Sequence, residues 1–319
     1  MVLTKKKSII TAFFILAVLA LVIFYFFLER NSPYSEETIL ENEEVLKFAV
    51  IGDYGSDSQA ELDVANLVKS WNPDAVLTVG DNNYKGWDSS SAIIRSIGEY
   101  YCEFIKNNNA PPEQVCINQI TKNKFWPSLG NHDWGPALGD PPLPIYYLNY
   151  FDLPGNERYY DFIEGNVHFF VLDSDPNSGH PDGHTFDSIQ GKWLEKKLKT
   201  SKDNTDNWNI VYFHHAPYTS SSRGSNSEHM RWPFKEWGTD AVLAGHEHLY
   251  ERLEADGIPY FVNGLGGKSI YSFGAPIKES RFVYNKDYGA MLITTKNHSL
   301  WFEFYSRDGI LHDKLILTK

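Results

Sequence analysis

"DAVLAGHEHLYER", residues 240–252, runs a short apolar stretch into a polar stop. Ala241–Ala244 read as a buried strand, and Gly245, His246, Glu247 and His248 then place two imidazoles one residue apart where that strand should end. The same construction recurs along the chain. "KFAVIGDYG" (47–55), "DAVLTVGDNNY" (74–84), "KFWPSLGNHD" (124–133), "HFFVLDSD" (168–175) and "NIVYFHHAPY" (209–218) each pass from apolar residues into Asp, Asn or His. Continuous apolar runs of this length indicate strands buried on both faces.

Helical periodicity fills several of the gaps. Ala60, Val64, Leu67, Val68 and Trp71 share one stripe, and Ile93, Ile94, Ile97, Tyr101, Phe104 and Ile105 share another. Residues 188–199 predict a third helix, with Ile189, Trp193, Leu194 and Leu198 on its apolar face and Lys192, Lys196 and Lys197 outward. Toward the C-terminus, "PYFVNGLGG", "AMLITTK", "SLWFEFYS" and "ILHDKLIL" read as strands with short connections. The expected fold is α/β, a four-layer α-β-β-α sandwich of two packed sheets with helices outside. Ligands in layered α/β folds collect at the carboxyl ends of strands, which is where the polar stops fall here.

The first residues belong to something else. Lys5, Lys6 and Lys7 precede Ile9–Leu28, an uncharged apolar run long enough to cross about 30 Å of hydrocarbon. It ends in "FYFFLERNS" without an Ala-x-Ala pattern, which favours an uncleaved anchor over a cleaved signal peptide. The expected organisation is a basic cytoplasmic tail (1–8), a transmembrane anchor (9–28), an acidic stalk (29–46) and one domain (47–319) in the periplasm or outside the cell.

The formal charge is −12, and because residues 1–30 hold four basic side chains and one acidic, the remainder carries −15. Such a surface repels nucleic acid and anionic lipid, so the expected partner is a small molecule drawn to a local positive feature. Cys102 and Cys116 are the two cysteines; outside any CxxC pattern they read either as a disulfide or as two free thiols.

Each polar stop alone is ordinary turn chemistry. Together, Asp53, Asp81, Asn131, His214, His246 and His248 follow predicted strands in the pattern D-x-G, G-D-x-x-Y, G-N-H-D, V-x-x-H, G-H-x-H. Carboxylate, amide and imidazole suit hard to borderline cations. Two imidazoles one residue apart can face different ions of a pair, with Asp81 between them, and ions about 3.5–4 Å apart are the layout that attacks phosphorus.

These five blocks resemble the calcineurin-like metallophosphoesterases, and the resemblance covers residues 47 to about 319. The first block lacks the Asp-x-His common in that superfamily, reading Asp53-Tyr54-Gly55, while the second gains Tyr84. That exchange is similar to the purple acid phosphatases, including the small tartrate-resistant type. The resemblance implies one cation on Asp53, Asp81, Tyr84 and His248, and a second on Asp81, Asn131, His214 and His246. A phenol binds as phenolate only beside a strongly acidic cation, which favours Fe(3+) at Tyr84. The other position suits divalent Zn, Fe or Mn. With two carboxylates, a phenolate and a hydroxide, such a pair keeps one net positive charge, a focused anion site.

The resemblance further implies hydrolysis of phosphate monoesters by in-line attack of a metal-bound hydroxide. His132 then contacts the phosphate and protonates the leaving alkoxide. Either imidazole of "YFHHAPY" can be the ligand; counting V-x-x-H from Val211 selects His214 and leaves His215 behind it or facing substrate. Where the tartrate-resistant enzymes have a loop histidine nine residues past this ligand, the chain has Arg223. Arg223 can clamp a phosphate oxygen, His229 can reach in instead, or Arg223 is a solvated loop residue. "NGLGGKS" (263–269) does not complete a P-loop; Gly264, Gly266 and Gly267 read as allowing a close backbone approach or a tight turn. Two rivals to a dinuclear acid phosphatase stay open: a phosphodiesterase of the same superfamily acting on nucleotides or phospholipid headgroups, and a non-catalytic ectodomain.

Overall fold

The computed structural model describes residues 18–25, 27, 45–86, 90–106, 120–135, 143–203, 207–224, 227–296 and 298–319. The chain divides into two units, Met1–Glu44 and Val45–Lys319. In the first, residues 18–25 are helical with exposed side chains. No described helix is long and apolar enough to cross a membrane. Most of the expected anchor at 9–28, and the basic tail and nearly all of the stalk beside it, lie outside the described residues.

The second unit holds the strands β1 (Lys47–Ile51), β2 (Ala75–Thr78), β3 (Phe125–Pro127), β4 (Tyr160–Glu164), β5 (Val167–Val171), β6 (Trp208–His215), β7 (Ala241–Gly245), β8 (Tyr250–Ala255), β9 (Ile258–Asn263), β10 (Ser280–Tyr284), β11 (Gly289–Lys296), β12 (Ser299–Ser306) and β13 (Leu311–Thr318). They form two mixed sheets, one six-stranded in the order β13-β12-β11-β1-β2-β3, the other seven-stranded in the order β10-β8-β9-β7-β6-β5-β4. β1, β2 and β3 run parallel, as do β5, β6, β7 and β9. The C-terminal hairpins add antiparallel strands, β11 pairing with β1 from Lys47↔Thr294 to Val50↔Met291.

The continuous apolar runs are explained by burial on both faces. Ile210 and Tyr212 of β6 and Leu243 of β7 join the cluster between the sheets, while Val211, Phe213 and Val242 join a second cluster with Leu194 and Leu198. Phe48 meets Phe169 across the sheets with ring centroids 4.9 Å apart, and Phe261 stacks on Phe302 at 4.7 Å. A buried aromatic of this size contributes about 1.5–3 kcal/mol by leaving water.

The helices fall where the periodicity places them. Gln59–Ser70 starts at Ser58, whose side chain accepts from the Glu61 N–H, and buries Val64, Leu67 and Val68. The second stripe is interrupted: Ser90–Ile93 passes through a π turn at Ile94–Gly98 into Glu99–Tyr101 and a 3-10 turn, Cys102–Phe104. Ile189–Lys202 buries Leu194 and Leu198 as expected, but Ile189 is 59% exposed. Gln190 takes the inward position at that end, accepting from the Asp173 N–H and donating to the Asp173 and Gly183 carbonyls. Those three hydrogen bonds decide the helix's first turn. Cys102 is disulfide-bonded; Cys116, the other cysteine of the chain, lies outside the described residues.

Candidate metal centre

The parallel strands of both sheets end at one rim. β1 leads to Asp53, β2 to Asp81, β3 to Asn131, and β6 and β7 to His214, His246 and His248. Three of these residues leave their strand in the left-handed region, Asp53 at φ 54°, Asp81 at φ 53° and His246 at φ 69°. That conformation costs a non-glycine residue about 1–2 kcal/mol and persists only where surrounding contacts fix it. Here the Asp53 N–H donates to the Gly80 carbonyl at 3.1 Å, and the His246 N–H donates to Asp53 Oδ2 at 2.9 Å. The rim is tight. A Cβ at Gly130 would lie 2.3 Å from both the backbone nitrogen and Oδ1 of Asp81, and one at Gly264 would lie 2.8 Å from Asp53 Oδ2.

Seven side chains gather into two adjoining groups. In the first, the Tyr84 hydroxyl lies 2.8 Å from Asp81 Oδ2, 3.1 Å from Asp53 Oδ1 and 3.1 Å from His248 Nε2, with His248 Nε2 3.2 Å from Asp53 Oδ1. In the second, His214 Nε2 lies 3.1 Å from His246 Nδ1, 3.2 Å from Asn131 Oδ1 and 3.4 Å from Asp81 Oδ1; His246 Nδ1 lies 3.1 Å from Asn131 Oδ1. Asp81 belongs to both, one oxygen to each.

The chemistry of this donor set fits a pair of cations. His214 Nδ1 lies 2.8 Å from the Val79 carbonyl, an acceptor, so its proton sits there and Nε2 is left with the lone pair. His248 Nδ1 is likewise 2.8 Å from Ser269 Oγ, turning Nε2 inward. Carboxylate oxygens, an amide oxygen and imidazole lone pairs therefore converge with few hydrogens to share. Asp53, Asp81 and His214 alone bring a ligand atom each within 4.8 Å of one another.

Electrostatics report the same crowding. Burial alone would raise the Asp81 carboxyl, but His214 and His132 overcome it and hold the pKa well below the usual range. Burial would lower His214, yet the Asp81 charge and hydrogen bond push it up to about 10. Burial, then the carboxylates of Asp53 and Asp81, drive the Tyr84 phenol far above its ordinary value. Burial and the neighbouring His214 bring His246 down to about 3. In the absence of a cation, one proton on His214 balances the second group.

The remaining candidates sit around this pair. His132 is exposed at the rim; its N–H donates to Asp81 Oδ1 at 2.9 Å, and its ring lies 4.5 Å from that of Tyr84. His215 is not among the converging atoms: its Nδ1 pairs with Ser174 Oγ at 3.0 Å, and its ring rests 4.5 Å from His246. Arg223 places its guanidinium 4.7 Å over the Tyr271 ring. His229 bonds the Ser174 carbonyl through Nε2 at 3.0 Å and joins neither group.

Sequence reasoning missed the groups that hold the candidate ligands. Asp133 is buried and accepts from the N–H groups of Asn82 and Gly130 and from Asn82 Nδ2, at 2.7–3.1 Å, tying the Asp81 and Asn131 loops together. Burial, then the Asp81 charge, raises its carboxyl to about 7. Its place in G-N-H-D was the available signal. Ser269 and the Val79 carbonyl carry none.

A family model for calcineurin-like phosphoesterases matches residues 46–250, more than half of the chain. The chain belongs to that family. Its relatives place it with the purple acid phosphatase type: purple acid phosphatase 15 of Arabidopsis thaliana is 26% identical over 248 residues, covering 69% of this chain and 45% of that protein. A nucleotide pyrophosphatase/phosphodiesterase of Hordeum vulgare is 25% identical over 333 residues, covering 86% of this chain and 83% of that protein. The chain thus spans about half the length of the Arabidopsis relative and most of the barley one. Among solved structures, the purple acid phosphatase PPD1 from yellow lupin (Lupinus luteus) seeds superposes with a TM-score of 0.66 at 18% identity, covering 87% of this chain and 54% of that one. At that identity the likeness is one of fold.

Proposed function

We propose that the chain is a dinuclear-metal acid phosphatase that hydrolyses phosphate monoesters. The observation that carries this reading is the division of Asp81, Oδ2 facing Tyr84 and Oδ1 facing His214, so that two ligand groups share one carboxylate. Asp53, Asp81, Tyr84 and His248 would hold Fe(3+), and Asp81, Asn131, His214 and His246 a divalent Zn, Fe or Mn ion. Bound there, the pair would supply a lowered water pKa and positive charge for the phosphoryl oxygens.

The chain's own residues do the rest. The left-handed turns at Asp53, Asp81 and His246 aim the ligands over the strand ends. His132, fixed by its backbone to Asp81 and exposed beside Tyr84, stands where it can give a proton to a departing alkoxide. His215, buried behind His246 and bonded to Ser174, positions that ring.

Elemental analysis and visible absorbance test the reading. Two metals per chain are expected, with a phenolate-to-iron band that Tyr84→Phe removes; fewer metals would favour a non-catalytic ectodomain. The barley relative supports a second reading, a phosphodiesterase. Comparing p-nitrophenyl phosphate with bis(p-nitrophenyl) phosphate separates the two, and a preference for the diester overturns the first. We also place the domain outside the cytoplasm, tethered through Ile9–Leu28; the apolar run behind Lys5–Lys7 supports that topology. Mass spectrometry of the mature N-terminus tests it.

A further inference from the structure

We propose that a cavity at the opposite end of β6 from the candidate metal centre binds a phosphate group, carried by free phosphate or by a small organic ester, through Lys202, Lys235 and the hydroxyl of Thr239. This goes beyond the phosphatase reading and does not rest on it.

The candidate metal ligands gather where β6 and β7 end; this cavity lies where both strands begin. Asn209 stands at the start of β6, and Thr239 and Asp240 lead into β7. His214 is further along β6, about 17 Å of extended chain from Asn209. The cavity measures about 430 Å³, a size suited to a small organic ligand. Its mouth and its floor differ in character. Lys202, Lys235 and Lys319 line it as exposed residues, whereas Asn209 and Thr239 are buried.

Three lysines against one aspartate, Asp240, leave this lining at +2 in a domain that carries −15. The aspartate is already matched. Its Oδ2 accepts from the Asn209 N–H at 2.8 Å and lies 3.0 Å from Lys319 Nζ. Lys202 and Lys235 form no ion pair among the described residues, so their charges are not spent. Lys202 alone would be ordinary, because a cation in the last turn of a helix complements the helix dipole. Lys235 comes from a separate helix, Phe234–Trp237. Gly238 lets the two elements meet: at φ 112° it runs so close that a Cβ there would lie 3.1 Å from both Cβ and Cδ of Lys202.

The floor gives an independent indication. Thr239 is 1% exposed, and its Oγ1 has no hydrogen-bond partner. Buried hydroxyls are nearly always hydrogen-bonded, and an oxyanion supplies the missing acceptor. Asn209 does not compete for that role. Its Oδ1 accepts from Ser201 Oγ at 2.6 Å and its Nδ2 donates to the Gly238 carbonyl at 3.0 Å, which holds the floor in place. Two ammonium groups from separate helices and one hydroxyl are point donors. They suit the diverging oxygens of a tetrahedral anion, whereas a planar carboxylate is matched by a guanidinium fork.

Calorimetry on the metal-loaded full chain tests the site with inorganic phosphate, phenylphosphonate and acetate. Wild type is compared with Lys202→Gln, Lys235→Gln, Thr239→Val and Thr239→Ser. Wild type is expected to bind phosphate at two positions, the metals and this cavity. Each lysine variant should weaken the second position about fivefold. Thr239→Val should weaken it by a similar factor, while Thr239→Ser restores it. Inhibition of p-nitrophenyl phosphate hydrolysis by phosphate reports on the metals and should be the same in all five proteins. Phenylphosphonate binding more tightly than phosphate assigns the cavity to an organic ester; equal or weaker binding assigns it to free phosphate. Phosphate bound only at the metals, an isotherm that none of the variants changes, or acetate held as tightly as phosphate overturns the proposal. If wild type holds no metal and turns over no ester, the phosphatase reading fails; a single phosphate weakened in the lysine variants then still establishes this site.

Discussion

His214 and His246 face each other through ring nitrogens 3.1 Å apart, with Asn131 Oδ1 3.2 and 3.1 Å from the two. Because His214 Nδ1 is committed to the Val79 carbonyl, a proton and a metal ion compete for the same Nε2 lone pair. The neighbouring Asp81, overcoming burial, raises that group to about 10. Below pH 10 the metal-free site holds the proton, so binding must release it, and affinity should rise about tenfold per pH unit toward that value. Zinc titration at pH 7 in buffers of different protonation enthalpy is expected to show about one proton released per ion at this position, and His214→Ala to abolish it. No buffer dependence in the wild type would contradict the arrangement.

Gly130 bears on the same centre through space alone. An added methyl would stand 2.3 Å from Asp81 Oδ1, where the loop is already pinned by the Gly130 N–H to Asp133 Oδ2 at 2.8 Å. Gly130→Ala should displace the shared carboxylate without unfolding the sheets. Metal content is expected to fall from about two ions per chain to about one or less, with the circular dichroism spectrum retained. A variant that keeps both ions would show that the loop yields more readily than this packing allows.

The parts of this fold that were legible in sequence are those governed by short-range periodicity. Ile210–Phe213 and Val242–Ala244 read as doubly buried strands because their alternate residues do enter two different cores. The candidate ligands Asp53, Asp81, Asn131, His214, His246 and His248 were legible as a set because they lie at or just past the ends of such strands; Tyr84 rested on the family resemblance. Ile189 was misplaced because apolar periodicity does not register the hydrogen bonds by which Gln190 fixes the helix start. Ser269 meets the candidate ligand His248 from 21 residues away through a side-chain contact that no spacing rule encodes, whereas Asp133 carried a signal in its place within G-N-H-D, three residues after the Gly130 whose N–H it accepts. The stack of Arg223, Tyr271 and His248 joins three loops whose relative placement only the sheet order determines.

Tyr84 gives a prediction for the metal-free protein. Its hydroxyl donates to Asp81 Oδ2 at 2.8 Å and lies 3.1 Å from Asp53 Oδ1, and burial together with those two carboxylates keeps it a phenol. Removing the hydroxyl leaves a buried carboxylate oxygen without its donor, a loss of about 1–3 kcal/mol. Tyr84→Phe in the presence of chelator should therefore denature at lower urea concentration than the chelated wild type. An unchanged midpoint would mean that water replaces the phenol without cost.

Glu61 links the stability of the domain to pH at a distance from the ligands. It is buried, and Oε2 accepts from the N–H groups of Ser56 and Asp57 at 2.9 and 2.8 Å, bracing the loop that follows Asp53. Oε1 has no hydrogen-bond partner, so an ionised carboxyl would strand charge there. Burial raises the group from 4.5 to about 9. A folded-state pKa above the unfolded one contributes stability that is complete below about pH 4.5 and is lost as pH rises toward about 9. The slope reaches at most about 1.4 kcal/mol per pH unit for this one proton. Glu61→Gln keeps an acceptor for both N–H groups and cannot ionise. Urea denaturation of chelated protein at pH 5, 6.5 and 8 should show wild-type stability falling across the series and a shallower fall in the variant; parallel curves would place the pH dependence elsewhere.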